Sequence, residues 1–221
     1  MANKYKLLKY VTIKGTLTCK TGLRIGGSKE EMEIGGMDNP VIRHPLSKEP
    51  YIPGSSLKGK LRSLLEYKTG QVPPSGEPCG CAQCQVCKVF GPHKQAEHGL
   101  GPTRIIVRDA MLTRDWAAKL AKLRDEGLNL VEVKSENWID RRTGVAGRGG
   151  LRTQERVPAG AEFELNISVR LFEGDSQKDI IDFICEGFRM LPLDTLGGSG
   201  TRGYGWVGLT YEIGETAVAG A

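Results

Sequence analysis

Apolar and polar residues alternate with a period of two along three stretches of the chain, residues 11–19, 163–171 and 207–213. This period is typical of strands that are buried on one face and exposed on the other. A fourth strand is predicted between residues 104 and 112, around the apolar run Ile105-Ile106-Val107. The chain therefore contributes at least four strands to a sheet.

Two further stretches have the spacing of an amphipathic helix. Leucines that share one face predict a helix over residues 55–67, with Ser55 or Ser56 as its N-cap. Isoleucine and phenylalanine at helical spacing predict a second helix that ends near Leu191, with Asp175 or Ser176 as its N-cap. A shorter helix is predicted over residues 115–126.

The order of the main elements is strand, helix, strand, strand, helix, strand. This βαββαβ order is that of the α+β ferredoxin-like fold, which is shared with RNA-recognition modules. We expect one such domain over residues 1–221, extended by inserts at 22–54 and 70–102 and by a basic arm at 131–158. The insert at 70–102 is rich in Gly, Pro and Cys, and we expect it to have little core of its own.

Charge is unevenly distributed, with a net charge of +5 from 31 basic and 26 acidic residues. Five arginines and a single carboxylate, Glu155, lie between Arg141 and Arg156. Such a patch suits a polyanion, and RNA or DNA is the first expectation. Because aromatic residues are only 6% of the chain, stacking of bases on rings is not expected to be the main contact.

Nothing in the sequence indicates a membrane protein or a secreted one. No window approaches the roughly 18 apolar residues of a transmembrane helix, and the N-terminus lacks an apolar signal core. We therefore expect a cytoplasmic protein that does not bind a membrane.

Four of the six cysteines lie within nine residues, at positions Cys79, Cys81, Cys84 and Cys87. Clustered thiols in a reducing compartment indicate a metal site, and four thiolates suit a tetrahedral structural zinc ion. His93 or His98 is close enough in sequence to replace one thiolate. An iron–sulfur cluster is the alternative, although the usual bacterial spacing is missing.

Two segments are candidates for contacts with a nucleic acid or for chemistry. The helix start Ser55-Ser56, followed by Lys58 and Lys60, offers backbone N–H groups and cations together, as a phosphate site does. The alternative is a capped helix with a solvated basic face. Asp38 lies in the tight loop Gly-Gly-Met-Asp-Asn-Pro, where a carboxylate is either catalytic or simply turn-forming.

The motifs together resemble one family. They are Thr21-Gly-Leu-Arg-Ile-Gly-Gly27, Ile34-Gly-Gly-Met-Asp-Asn-Pro-Val-Ile42, Tyr51-Ile-Pro-Gly-Ser-Ser-Leu-Lys-Gly-Lys-Leu-Arg62, Cys84-x-x-Cys87-x-x-Phe90-Gly91, Glu136-Asn-Trp-Ile-Asp-Arg141 and Leu196-Gly-Gly-Ser-Gly-Thr-Arg-Gly-Tyr-Gly205. In this order they resemble the repeat-associated RAMP proteins of CRISPR systems. Within that family the chain is most similar to the backbone subunits of the type III-A Csm complex, in the Cas seven group. The resemblance covers about residues 10–210.

The resemblance implies a protein whose copies form a helical stack along the spacer part of a CRISPR RNA, together with other Csm subunits. It implies a metal-dependent endoribonuclease that cleaves paired target RNA at regular intervals, with Asp38 as the catalytic residue and magnesium or manganese as the ion. The implied RNA contacts are Arg24, Gly26, Gly27, Ser55, Ser56, Lys58, Lys60, Arg62, Arg141, Arg148, Arg152, Thr201 and Arg202. Many relatives have histidine at the position of Arg24, so imidazole catalysis is not expected there. The basic arm is implied to be a thumb that interrupts the guide–target duplex.

Two alternatives to this function are open. One is a non-catalytic RNA-binding scaffold in which Asp38 only shapes a turn. The other is the equivalent backbone subunit of a type III-B complex. Cleavage of target RNA at regular spacing would distinguish the enzyme from the scaffold.

Overall fold

The structure is a computed structural model that describes residues 5–26 and 40–217. The strands in these ranges are β1 (Leu7–Cys19), β2 (Ile105–Val107), β3 (Glu132–Glu136), β4 (Arg152–Arg156), β5 (Glu162–Phe172) and β6 (Val207–Ala217). The helices are α1 (Gly54–Thr69), α2 (Gln85–Phe90), α3 (Arg114–Asp125) and α4 (Gln177–Met190), and short 3-10 turns cover Leu191–Leu193 and Gly200–Arg202. The strands and helices expected from the periodicity are confirmed, except that the strand predicted between residues 104 and 112 is only three residues long.

The main sheet has the strand order β2-β5-β1-β6, and each neighbouring pair is antiparallel. At its centre Ile13 of β1 lies opposite Ile167 of β5 on one side and Ile213 of β6 on the other. Because β5 separates β1 from β2, and β1 separates β5 from β6, the helices α1 and α4 each cross over one intervening strand. The chain therefore forms a mixed α and β structure around one antiparallel sheet.

The core lies between this sheet and the helices α1 and α4. Alternate residues of β1 and β5 point into it, as do the leucines of α1 and the isoleucines of α4 that the periodicity singled out. A Cβ atom at Gly187 of α4 would lie only 3.2 Å from Leu65 Cδ1 of α1. The missing side chain at Gly187 thus lets the two helices approach closely.

The N-terminus of α1 differs from the prediction, because neither Ser55 nor Ser56 is its cap. The helix begins at Gly54, with Pro53 in the N-cap position and no side-chain cap from that residue. The carboxylate of Asp109 instead accepts the Gly54 N–H at 2.7 Å. Asp109 follows β2 and lies 55 residues away in the chain, so local sequence does not indicate this contact. By contrast, Ser176 caps α4 as predicted, because its Oγ accepts the Asp179 N–H.

The expectation of little core in the insert at 70–102 is wrong for its second half. There the short helix α2 buries Val86, Val89 and Phe90 in the main core. These residues are three and four positions apart and so share one helix face. The Gly-, Pro- and Cys-rich composition around them obscures this short apolar pattern.

The arm at 131–158 is confirmed as a hairpin, formed by β3 and β4. Its base is buried against the body of the protein at Val131, Gln154 and Val157. Residues 137–151 connect the two strands as the tip of the hairpin, and most of them are exposed. Among the helices of residues 5–26 and 40–217, none is long and apolar enough to cross a lipid bilayer.

Candidate nucleic-acid interface and metal site

The sulfur atoms of Cys79, Cys81, Cys84 and Cys87 all lie within 4.8 Å of one another. Cys79 Sγ is 3.8 Å from Cys84 Sγ and 3.7 Å from Cys87 Sγ, and Cys81 Sγ is 3.9 Å from Cys87 Sγ. Zinc–sulfur bonds of ~2.3 Å in a tetrahedron place the sulfur atoms about 3.8 Å apart. The four sulfurs therefore fit one zinc ion.

Local backbone structure brings these sulfurs together. Cys84 is the N-cap of α2, where its Sγ accepts the Cys87 N–H at 3.4 Å. The backbone N–H of Gln83 lowers the pKa of the exposed Cys81 thiol to about 6, whereas burial raises the pKa of the Cys87 thiol. A bound cation would offset the cost of ionising Cys87, because coordination deprotonates a thiol.

The alternatives for this site fit less well. In an iron–sulfur cluster the cysteines bind two or more different iron atoms, so their sulfur atoms lie farther apart than four sulfurs that surround a single ion. The four cysteines also complete a tetrahedral set without a histidine. His98 Nδ1 accepts the Leu100 N–H at 3.3 Å, and His93 is held through its backbone N–H, which donates to the Cys79 carbonyl oxygen.

Asp38 and Gly27 lie outside the described residues, but both ends of the segment that contains them are in place. Gly26 forms an antiparallel bridge with Val41, and the next pair is joined by the hydrogen bond from Ile42 N–H to the Ile25 carbonyl oxygen. On the C-terminal side, Glu155 of β4 accepts the Val41 N–H at 3.1 Å and pairs with Arg43 at 2.8 Å. Gly26 and Val41, which flank this segment, therefore lie next to each other and beside the base of the hairpin.

The glycine-rich loop at 196–205 lies against the segment that contains Arg24. The Gly198 N–H donates to the Arg24 carbonyl oxygen at 2.8 Å, and the Gly205 N–H donates to the Gly22 carbonyl oxygen at 2.9 Å. A Cβ at Gly197, where φ is +79°, would lie 2.2 Å from the Arg24 carbonyl oxygen. This close approach requires glycine, and it brings two predicted RNA-contacting segments together.

Acidic residues hold the cations of this region in place. Arg202 lies 3.3 Å from Glu136 of β3 and donates to Ser199 Oγ at 2.6 Å, while the neighbouring Thr201 is exposed. Lys60 of α1 pairs at 3.0 Å with Asp194, which leads into the glycine-rich loop. Sequence reasoning missed these acidic partners, because each pair joins residues that are far apart in the chain.

The start of α1 offers fewer N–H groups to a phosphate than expected. The Gly54 N–H donates to Asp109, and the Ser56 and Leu57 N–H groups both donate to the Pro53 carbonyl oxygen. The exposed residue in this turn is Ser55. The basic side chain of Lys58 is half-buried, and burial together with nearby arginines lowers its pKa. Cations rather than N–H groups are the main feature of this segment.

The remaining predicted cations do not all join this group. Arg141, Arg148 and Arg152 are exposed along the hairpin. Asp140 organises the tip, because its carboxylate accepts the N–H groups of residues 142 and 143 at 2.8 and 3.1 Å. Arg62 lies beside the cysteine cluster, where its guanidinium donates to the Cys79 carbonyl oxygen.

Comparisons with known proteins agree with this arrangement. The sequence profile of the RAMP superfamily matches residues 16–208. A protein of Methanothermobacter thermautotrophicus described as "CRISPR system Cms endoribonuclease Csm3" is 46% identical over 208 residues, which cover 89% of this chain and 82% of the relative. A protein of Methanocaldococcus jannaschii with the same description is 43% identical over 199 residues, covering 88% of this chain and 76% of the relative.

A solved structure is also similar. It is the crystal structure of a Csm3–Csm4 subcomplex in the type III-A CRISPR-Cas interference complex, which matches with a TM-score of 0.60 and 29% identity. The match covers 96% of this chain and 82% of that chain. The chain therefore belongs to the RAMP superfamily and, within it, to the Csm3 proteins.

Proposed function

We propose that this protein is the backbone subunit of a type III-A CRISPR effector complex, where it binds the spacer part of the CRISPR RNA and cleaves complementary target RNA. The observation that carries this proposal is the similarity, over 89% of the chain, to a protein described as an endoribonuclease of this class. The solved Csm3–Csm4 subcomplex supports other Csm subunits as partners.

The body of the protein is, in this proposal, a single ferredoxin-like palm. The order β2-β5-β1-β6 supports it, because it is the order 2-3-1-4 of the strands in a βαββαβ core. The cysteine segment is a structural zinc site. The hairpin is the thumb.

The guide RNA follows the surface where the glycine-rich loop, the Arg24 segment, the start of α1 and the base of the hairpin meet. Its cations contact phosphates, which position the RNA without reading its sequence. Sequence choice comes from pairing between guide and target, as in other RNA-guided systems. Copies of the chain stack along the guide, so that each copy presents one thumb at a regular interval.

Cleavage depends on Asp38 as the ligand of a magnesium or manganese ion. Such an ion, when bound, neutralises charge that develops on the phosphate. The thumb displaces one target nucleotide from its stack so that its 2′-oxygen can attack the neighbouring phosphorus in line. The 2′-hydroxyl gives its proton to solvent as the bond to phosphorus forms, and the bond from phosphorus to the 5′-oxygen of the next nucleotide breaks, with that oxygen taking a proton from solvent. The bridge between Gly26 and Val41 supports this assignment, because it anchors the Asp38 segment beside the thumb.

The test is reconstitution of the complex with a guide of known sequence and a complementary target RNA. A ladder of products at regular spacing that is absent without magnesium and manganese, and returns when either ion is added, supports a metal-dependent nuclease. Stable binding of the target without any ladder would leave only the scaffold function. The matched control is a target that does not pair with the guide.

A further inference from the structure

The C-terminal half of α1 faces the cysteine segment, while its N-terminal half faces the proposed RNA surface. Arg62 and Glu66 lie one helical turn apart on the side of α1 toward the cysteines, and Gln71 follows the end of the helix. All three contact the cysteine segment. Arg62, a cation of the predicted RNA-binding set, thus contacts Cys79, a residue of the cysteine cluster.

Arg62 and Glu66 hold both polar backbone groups of Cys79. The Cys79 N–H donates to Glu66 Oε1 at 2.8 Å, and the Arg62 guanidinium donates to the Cys79 carbonyl oxygen at 2.6 Å. The same Glu66 oxygen accepts from Arg62 Nε at 2.8 Å, which closes the arrangement into a ring. The position of Cys79 is thus fixed from both sides by one ion pair.

The burial of this pair argues against a role in binding phosphate. The side chains of Arg62 and Glu66 are only 14% and 8% exposed. A buried pair costs desolvation energy, and removal of one partner leaves a buried charge without compensation. Contact between Arg62 and an RNA phosphate would place that phosphate close to the Glu66 carboxylate.

We propose that Arg62 and Glu66 are positioning residues for the metal site, which hold Cys79 in place for zinc, and that Arg62 does not contact the RNA. This inference rests on the zinc site proposed above. Ligands of a metal are commonly oriented by such hydrogen-bonded partners in the surrounding shell. Here the hydrogen-bonded partners belong to the helix that carries Lys58 and Lys60. The metal site is therefore in direct contact with the basic helix.

Gln71 completes the same arrangement. Its amide oxygen, Oε1, accepts from the thiols of Cys79 and Cys81, at 3.8 Å from Cys79 Sγ and 4.0 Å from Cys81 Sγ. Thiolates bound to zinc cannot donate, so with zinc bound this amide would turn end for end and donate its N–H to a thiolate sulfur.

The experiment compares zinc release from the wild type, Glu66→Gln, Arg62→Gln and the double variant. Zinc transfer to a chromophoric chelator is followed at fixed pH, and Glu77→Gln, an exposed carboxylate in the same insert, is the control. Each single variant should release zinc about 10–100-fold faster. The double variant should be no faster than the faster single, because both changes break one ring. Unchanged release in both singles, or fully multiplying effects, overturns the proposal.

A second measurement separates this role from an RNA contact. We expect Arg62→Gln to leave unchanged the slope of log affinity against log salt for single-stranded RNA. A slope flatter by about 0.7 would mean a lost phosphate contact and would overturn the assignment. Arg62→Lys keeps the charge but lacks the forked donor, so it should release zinc nearly as fast as Arg62→Gln.

The outcomes also distinguish a failure of the positioning proposal from a failure of the zinc assignment. Wild-type protein without zinc would contradict the metal assignment, whereas zinc-loaded wild type with unaffected variants contradicts only the positioning role. Circular dichroism of each variant establishes folding. If a Gln variant does not fold, Arg62→Lys and Glu66→Asp provide the same comparison with charge retained.

Discussion

Loss of zinc should destabilise the whole domain and not only the insert, and Cys84→Ser tests this. The reason is α2, which begins directly after Cys84 and buries Val86, Val89 and Phe90 in the main core. Full burial of such side chains stabilises a protein by ~1.5–3 kcal/mol each, so complete release of α2 would cost roughly 5–9 kcal/mol. Since a domain has only ~5–15 kcal/mol of stability, even partial release is measurable.

The assay is urea unfolding of wild type and Cys84→Ser, together with elemental analysis of zinc. We expect one zinc per wild-type chain, less in the variant, and a free energy of unfolding lower by about 2–5 kcal/mol, within the limit set by the buried side chains. Serine is a poor zinc ligand because its hydroxyl is hard and un-ionised. Wild type stripped by a chelator should approach the stability of the variant.

Cys185→Ala is the matched control, because Cys185 is buried in α4 and lies outside the cysteine cluster. It should keep its zinc and lose only about 1 kcal/mol, as a small change in a core does. Equal stability of wild type and Cys84→Ser, with zinc lost from the variant, would refute the link between the metal and the core. Wild type that contains iron instead of zinc would refute the metal assignment.

Two further predictions concern charged groups. Lys58→Ala should flatten the slope of log affinity against log salt for single-stranded RNA by about 0.7. Lys60→Ala should flatten it by less, because Asp194 already pairs with Lys60. Salt titration of each variant measures both slopes, and equal slopes would contradict this prediction. The pKa of buried Asp175 is raised by burial but more strongly lowered by hydrogen bonds, led by Arg104, so it lies below its ordinary value near 3.9. The ion pair of Asp175 therefore stabilises the protein fully above that ordinary pKa, and this stabilisation is lost as pH falls through the lower pKa of the folded protein. Asp175→Asn should be less stable than wild type by about 3–5 kcal/mol at pH 7 and should lose less stability on acid titration. A parallel loss of stability in both proteins would contradict the assignment.

The regular elements could be predicted because they depend on residues that are neighbours in sequence. The alternation in β1 and β5 and the leucine spacing of α1 each indicate a buried face directly. The short helix α2 escaped prediction because its three apolar residues lie among glycine, proline and cysteine. Its place in the core depends on packing against distant elements, which periodicity does not show.

The candidate site was predictable in its cations and its cysteines but not in their partners. Asp109 caps α1 from after β2, and Asp194 and Glu155 reach their partners across the fold. Such contacts join residues that are far apart in the chain, so local patterns carry no signal for them. Arg62 shows the consequence, since a basic side chain in a basic helix turned out to lie in a buried ion pair.

The segment that contains Asp38 is flanked by residues that lie close to the hairpin proposed as the thumb. Its two ends meet at the bridge between Gly26 and Val41, and Glu155 joins that bridge to the hairpin. Asp38 itself lies outside the described residues. The loop motif and the family resemblance support its catalytic role.

The most direct test of the account is cleavage of target RNA by complexes reconstituted with wild type or with Asp38→Ala, with Asp125→Ala, an exposed carboxylate at the end of α3, as the control. The account predicts that Asp38→Ala abolishes the metal-dependent ladder while guide and target binding stay nearly unchanged, because no cation is lost. The control should retain cleavage at the same positions and at the rate of the wild type. An undiminished ladder from the Asp38→Ala complex would contradict the central claim.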